Sequence, residues 1–538
     1  MPNLSPATKK LIQKYQDCHK LSQPKTGVAT IHVDEVASRV EVFYEGIRRV
    51  VDWREKHLMR RIAIERILKR RLFLKKHNNN IAEPFVLELI RGGHFPNNTI
   101  EQSKIKDVQK ILDKYTYVLM HSPQAPKAKT KSELYTYFLG VAACEIEEIL
   151  DPASYGRANA LIEYMYLVMR ERIRIGKKAG ARFKEMSERK KNIQIYIAVH
   201  QALLKLDSPL ITYNLLRHYY FNWANLSAEE LAEIAKNIYV IWRGIEKEFS
   251  HPLAGKFYKV CERYDAPFLL VGDVLSGDPL GTEENISSLE GLVGLIKKVY
   301  IHRLKTLKSR LSRAATYSTL SIFTTNVFSL YALEIPFTKY VMGHINSLAA
   351  IIDVAGPTFL MFLIVVTIRP PKKGNFRLVM AEVQKIVYES TKRYVYEIEI
   401  YPRSRNLASK IIIGFLYLVS FCICFGAFIG VMYVLEFPPL SYLLLIIFTS
   451  LIAFTGTQIR QRARELHVTE AKDRLFHIII DPLSLPIIQA GKWLSMRWKK
   501  YNIVTVVFNL LIDTPFLMFV EFLEQWRYFI KEKKEEIR

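Results

Sequence analysis

Cysteine is scarce in this sequence, and the short motifs of many common enzymes are missing. Five cysteines in 538 residues exclude a disulfide-dense secreted scaffold. The sequence has no G-x-x-x-x-G-K-S/T or G-x-G-x-x-G phosphate loop, no H-E-x-x-H, no C-x-x-C and no G-x-S-x-G. Its 13 histidines show no metal-ligand spacing. We therefore expect no metal and no cofactor, and a non-enzymatic role is favoured.

Positive charge, in contrast, is abundant. Lysine and arginine number 77 against 52 aspartates and glutamates, which gives a net charge of +25, and half of the residues are apolar. So many apolar residues exclude an intrinsically disordered chain. The excess charge predicts an anionic partner, either lipid headgroups or nucleic acid. Nucleic acid is disfavoured, because no RNA-binding aromatic signature accompanies the charge.

Long apolar runs occur only after residue 312. A membrane helix needs roughly 20 mostly apolar residues to cross about 30 Å of hydrocarbon. Four stretches meet this requirement, and they lie at residues 314–337, 346–368, 411–435 and 439–454. The sequence therefore predicts an all-α protein, in which a four-span helical membrane bundle (313–459) follows a large helical cytoplasmic domain.

The charges that flank the spans predict their orientation. The loop 369–410 and the residues just after the fourth span are rich in lysine and arginine, whereas the other two connections are short. Because such basic flanks stay in the cytoplasm, both termini are expected inside. The N-terminus has no apolar signal-peptide core. We expect a multi-pass protein of the inner or plasma membrane.

The C-terminal region 460–538 admits two interpretations. Residues 476–491 and 501–522 are apolar, but prolines and aspartates interrupt both. They add either no crossing or two crossings, since a single one would put the basic C-terminal tail outside. An interfacial or re-entrant placement is favoured, and six crossings are the alternative.

The N-terminal half reads as a series of helices. We expect a polar tail over 1–26, a basic helical region over 27–120, a linker over 121–132 and a helical array over 133–312. Ser227 and Glu230 form a capping-box pattern. A helix from about residue 283 either runs directly into the first span or packs onto its own domain, and the second reading is favoured.

One helical pattern, over residues 33–76, is dense in cations and is a candidate anionic-lipid surface. Acidic residues are interleaved with the cations, so a solvated face with ordinary salt bridges is favoured over lipid contact. The cations of interest are Arg60, Arg61, Arg66, Lys69, Arg70 and Arg71.

An aspartate inside the second span is the other candidate. An ionisable residue within a span usually faces protein or water, because its insertion costs about 3 kcal/mol. The first span offers a stripe of hydroxyls on one helix face. The polar candidates are Asp353, Ser318, Ser321, Thr325 and Ser329. They either line a polar path or only allow close helix packing, and the packing reading is favoured.

These features favour a non-enzymatic membrane scaffold or interaction protein with an unidentified protein partner. A transporter or channel component that uses the polar residues of spans one and two is the alternative. A homo-oligomer is compatible with the sequence.

Overall fold

The computed structural model is almost entirely helical over the residues that it describes. These are all residues except 1–2, 24–26, 34–41, 43–55, 75–80, 125–127, 177–185, 221, 342, 344–346, 369, 372–373, 389–394, 399–406, 469–484, 498–518 and most of 520–538. Within this part of the chain the all-α prediction is confirmed, and a single two-stranded sheet is the exception.

The chain divides into two compact units. The first unit contains Met1–Leu289, Gln384–Ile400 and Val507–Arg538, and the second contains Glu290–Val383 and Tyr401–Val506.

Short helices build the first unit. In chain order they are α1 (Pro6–Ser22), α2 (Lys56–Leu74), α3 (Ala82–Arg91), α4 (Lys104–Met120), α5 (Ala128–Leu150), α6 (Pro152–Arg172), strand β1 (Ile173–Ile175), α7 (Glu188–Leu203), α8 (Ser208–Tyr219), the 3₁₀-helix Trp223–Asn225, α9 (Ala228–Phe249), α10 (Ala254–Arg263), α11 (Asp265–Gly277) and α12 (Thr282–Ser287). The capping box of Ser227 and Glu230 is confirmed at the start of α9.

The N-terminal segment is a packed helix, and this differs from the expected polar tail. Ser5 caps α1 by accepting a hydrogen bond from the backbone N–H of Thr8, while Leu11, Ile12 and Tyr15 are buried. Because lysines occupy other positions of α1, its average composition is polar although its apolar residues are helically spaced. The expected linker over 121–132 is also shorter, because α5 begins at Ala128.

A late segment of the chain completes the first unit. Strand β2 (Tyr396–Ile398) pairs in parallel with β1. The Arg172 guanidinium donates a hydrogen bond to the carbonyl oxygen of Lys385 at 2.6 Å, and the Tyr388 hydroxyl donates one to the carbonyl oxygen of Ile286 at 2.8 Å. Part of the loop between the second and third spans is therefore built into the N-terminal unit.

Longer helices build the second unit. They are α13 (Leu289–Ser329), the π-helix Leu330–Glu334, α14 (Ile335–Val341), α15 (Ser347–Thr367), α16 (Asn375–Val387, whose last four residues belong to the first unit), α17 (Leu407–Val434), α18 (Pro439–Ala463) and a helix over residues 485–497, α19.

Four helices are long and apolar enough to cross a membrane, as the sequence predicts. They are Leu289–Val341, Ser347–Thr367, Gly414–Val434 and Pro439–Ala463, and we refer to them as spans one to four. Spans two and four pack closely at Gly456, where the Ile364 side chain lies against the glycine. Small residues permit such close packing of membrane helices.

The first span begins earlier than the sequence suggests. Helix α13 runs without a break from Leu289 into the apolar stretch, whereas residue 283 lies in the separate short helix α12. Its N-terminal part is also packed, because Leu292, Ile296 and Tyr300 are buried. From Leu289 onward the helix therefore runs directly into the span, and these buried residues belong to the second unit.

The C-terminal predictions fall mostly outside the described residues. Of the two apolar stretches, residues 476–484 and 501–518 are not described. The Tyr417 hydroxyl of span three donates a hydrogen bond to the side chain of Gln489 in α19 at 3.0 Å. Gly491 of α19 lies against the backbone of Ser450 in span four. Helix α19 therefore packs beside the span helices.

Candidate functional site

The basic residues of α2 mostly serve the packing of the first unit. The Arg61 side chain is 1% exposed and pairs with Glu65 at 2.7 Å and with Asp207, next to the start of α8. Arg60 pairs with Asp151, next to the start of α6. These ion pairs fasten α2 to the helices around it.

The remaining cations of α2 follow the same pattern. Arg70 and Arg71 both pair with the buried carboxylate of Glu88 in α3. Arg66 is half-buried, and only Lys69 of the six candidates is exposed. The favoured reading of ordinary salt bridges therefore fits α2, although the bridges lie in the interior rather than on a solvated face.

A titratable carboxyl group lies beside these arginines. Glu147 of α5 lies 3.8 Å from Arg60, measured between Oε1 and Nε. Burial raises the pKa of Glu147 to about 7, although Arg60 and Arg61 oppose the shift. In the same unit, burial lowers the pKa of His200 to about 4.

The hydroxyls of the span-one stripe differ in their contacts. The Ser318 hydroxyl donates to the carbonyl oxygen of Ala314 at 2.6 Å, and Thr325 donates to that of Ser321 at 2.8 Å. Ser321 and Thr325 are exposed and Ser318 is half-buried, whereas Ser329 is buried. Only Ser329 is connected to the site of Asp353.

Asp353 belongs to a buried group of polar side chains near one end of the spans. Its side chain lines one small cavity together with those of Glu334 and Ser441. Asp353, Glu334 and Ser441 are 5%, 4% and 1% exposed. The Ser441 hydroxyl donates to Glu334 at 2.7 Å, and the Ser329 hydroxyl lies 3.4 Å from the other Glu334 oxygen. We call Glu334 and Asp353 the carboxyl pair.

The space beside the carboxyl pair is small. A cavity of about 10 Å³ beside the pair is lined by Thr338, Ala350 and Pro438 among others. This is about the space that one water molecule needs.

A local change of helix type positions Glu334. The backbone N–H of Ile335 donates to the carbonyl oxygen of Leu330, five residues earlier, which is the π-helical pattern. Residues five apart then lie on the same helix face, which places the Glu334 carboxyl group beside the Ser329 hydroxyl. The sequence analysis missed Glu334 because it lies near the end of the predicted span. It missed Ser441 because a single serine at a span end is ordinary.

Comparisons with known proteins give no relative. No family model, curated protein or solved structure matches this chain. The function must therefore be argued from the residues alone. Among the residues that the structure describes, no group of three or more His, Cys, Asp or Glu side chains could hold a metal ion.

A surface groove on the first unit is a further candidate that the sequence did not suggest. It has a volume of about 190 Å³ and lies along the N-terminal half of α9. Leu226, Ile241 and Tyr220 give it an apolar floor, and Glu230 and Glu233 add two carboxylates. We call this the acidic groove. Its charge is opposite to that of the chain as a whole.

Proposed function

We propose that this protein is a multi-pass membrane protein whose helical N-terminal unit acts as a non-enzymatic interaction module on the cytoplasmic side. The acidic groove carries this proposal. Apolar side chains flanked by carboxylates are complementary to an amphipathic helix that has basic residues beside its apolar face. The partner is accordingly a protein segment of this chemistry.

The attachment of the N-terminal unit to the spans supports a scaffold role. The chain passes between the two units four times, after the first residue of α13, within α16, after Ile400 and after Val506. A domain that is completed by a loop between spans cannot be released by cleavage of one linker. The basic composition of the loop 369–410 and of the part of α13 before residue 314 supports a cytoplasmic position.

Site-specific crosslinking in native membranes tests the proposal. A photoreactive residue in place of Asn237, which lines the acidic groove, is expected to crosslink to a basic amphipathic segment of a partner. Glu233→Lys should abolish the crosslink, because it reverses the charge in the groove. Glu229→Lys is the matched control, since Glu229 is exposed in the first turn of α9 but does not line the groove.

Equal loss of the crosslink in both variants would contradict the proposal, because general charge would then explain the binding. A crosslink to a second copy of the chain would identify the partner as a homo-oligomer.

A second function, that of a transporter or channel component, is supported by the carboxyl pair. Buried ionisable groups between spans are typical of proton relays. Asp353→Asn and Glu334→Gln are expected to lower proton flux in proteoliposomes. Ser321→Ala is the control, because Ser321 is exposed and does not contact the pair. Unchanged flux in both carboxyl variants would exclude this function.

A further inference from the structure

A second groove lies among the span helices, at the opposite end from the carboxyl pair. It has a volume of about 200 Å³ and is formed by α13, α15, α18 and Pro370. Its lining is mainly apolar, with Leu311, Ala315, Val366 and Ile459 as representatives. Two polar side chains, Lys308 and Ser312, line it as well.

The two kinds of lining lie at different depths. Lys308 precedes the first residue of the apolar stretch at 314 by six positions, or about 9 Å of helix. Lys308 and Ser312 are one helical turn apart and therefore share a face of α13. Ala315 follows on nearly the same face, inside the apolar stretch. The groove thus passes from a cationic, hydroxyl-bearing mouth to an apolar wall.

The charge at the mouth has no acidic partner. Lys308 is exposed, and among the described residues it makes no ion pair. Lys305 lies one turn before it on the same face of α13, and Arg460 follows the groove residue Ile459. A ligand at this place must therefore be anionic at one end and apolar along the other.

We propose that this groove binds one anionic phospholipid. The phosphate group accepts hydrogen bonds from the Lys308 ammonium and the Ser312 hydroxyl, and one acyl chain lies along Ala315 and Val366. In a bilayer, the phosphate of a phospholipid lies at the surface and its acyl chains lie in the interior. This is the same order as the cationic mouth and the apolar wall of the groove. A soluble phosphate would use only the mouth, and an uncharged lipid would use only the apolar wall.

Native mass spectrometry of the full-length protein in detergent tests the proposal. With phosphatidylglycerol added, one bound lipid is expected to be retained, and phosphatidylcholine is expected to bind more weakly. Lys308→Gln should weaken phosphatidylglycerol binding about five-fold, since one cation near the surface contributes about 1 kcal/mol. Lys308→Arg should preserve binding.

Two further variants separate the site from general attraction. Arg310→Gln removes one charge at a similar depth, but Arg310 lies about 200° around the helix from Lys308, so binding should not change. Val366→Trp fills the apolar wall and should weaken binding although every charge remains. These side chains are exposed, so melting temperatures close to that of the wild type are expected to show that the variants fold.

Equal losses for Lys308→Gln and Arg310→Gln would overturn the proposal, because the attraction would then be delocalised. Displacement of phosphatidylglycerol by millimolar glycerol phosphate would also overturn it, because the acyl chain would then contribute nothing.

Discussion

At the scale of single residues, burial decides what the cations of α2 do. Arg61 is almost completely enclosed and neutralises two carboxylates, Glu65 and Asp207. Arg61→Ala is expected to lower the free energy of unfolding by about 1–3 kcal/mol, because it leaves two half-buried carboxylates without this partner. Thermal unfolding of the full-length protein in detergent measures the loss.

Lys69 provides the comparison for this prediction, since it lies on the same helix and is exposed. Lys69→Ala should change the stability by less than about 0.5 kcal/mol. Similar effects for both substitutions would show that Arg61 is not the ion-pair centre described above.

Glu147 makes the stability of the protein depend on pH. Its pKa is about 7 in the folded state and near 4.5 in an unperturbed chain, so the native state holds more protons between these values. The free energy of unfolding therefore falls as pH rises through this window. Glu147→Gln removes the ionisation. The stability of this variant relative to that of the wild type should therefore rise between pH 5 and pH 8, by up to about 3 kcal/mol.

The difference between variant and wild type is the quantity to compare, because His200 produces the opposite slope in both proteins. Its lowered pKa means that stability is lost as pH falls from about 6.5 towards 4. A stability difference that is the same at pH 5 and pH 8 would contradict the assignment to Glu147.

The sequence reveals some site residues and conceals others for a physical reason. Asp353 is visible because a charge inside an apolar run is expensive. The ion-pair partners of α2 are not visible, since Asp151 and Asp207 are 91 and 146 positions away from Arg60 and Arg61. Only the packing of helices brings them together.

At the scale of elements, the span helices depend on close packing at a glycine. A Cβ atom on Gly456 would lie 2.5 Å from the Ile364 Cγ2 atom, so a larger residue forces α15 and α18 apart. Gly456→Leu is expected to destabilise the span region by about 1–3 kcal/mol. Unfolding in a detergent titration, followed by tryptophan fluorescence, measures the effect.

Gly426 of span three is the matched control, because nothing lies within 4 Å of a Cβ atom there. Gly426→Leu should be tolerated. Equal destabilisation by both substitutions would show that the close packing at Gly456 is not responsible.

The elements differ in how well the sequence predicts them. The four spans are predicted within a few residues at most ends, because apolar composition alone marks a membrane helix. The π-helix at Leu330–Glu334 and the packed helix α1 are missed. The position of the π-helix depends on a hydrogen bond and neighbours that no local pattern encodes, whereas the apolar spacing of α1 is hidden by its polar average composition.

At the scale of the whole molecule, the proposed topology predicts which introduced cysteines are labelled from outside the cell. Single cysteines replace Lys20 in α1, Arg377 in α16 or Tyr340 at the end of span one. In intact cells, a membrane-impermeant maleimide is expected to label only Tyr340→Cys, which is 92% exposed. The other two should be labelled only after permeabilisation, since basic flanks stay in the cytoplasm.

Labelling of Lys20→Cys from outside would overturn the topology. A cysteine-free background is required, because Cys422 in span three is exposed.

The pairing of β1 with β2 sets an order of events during synthesis. Arg172 and Tyr396 are 224 positions apart, and spans one and two lie between them. At about 5–20 residues per second, the ribosome needs roughly 10–45 s to make the second strand after the first. On the proposed topology, strand β1 lacks its partner strand during this time, while two helices enter the bilayer. Chaperone binding to the nascent chain should therefore end only when residue 400 has emerged, and on the proposed topology the first two spans insert before the N-terminal unit is complete.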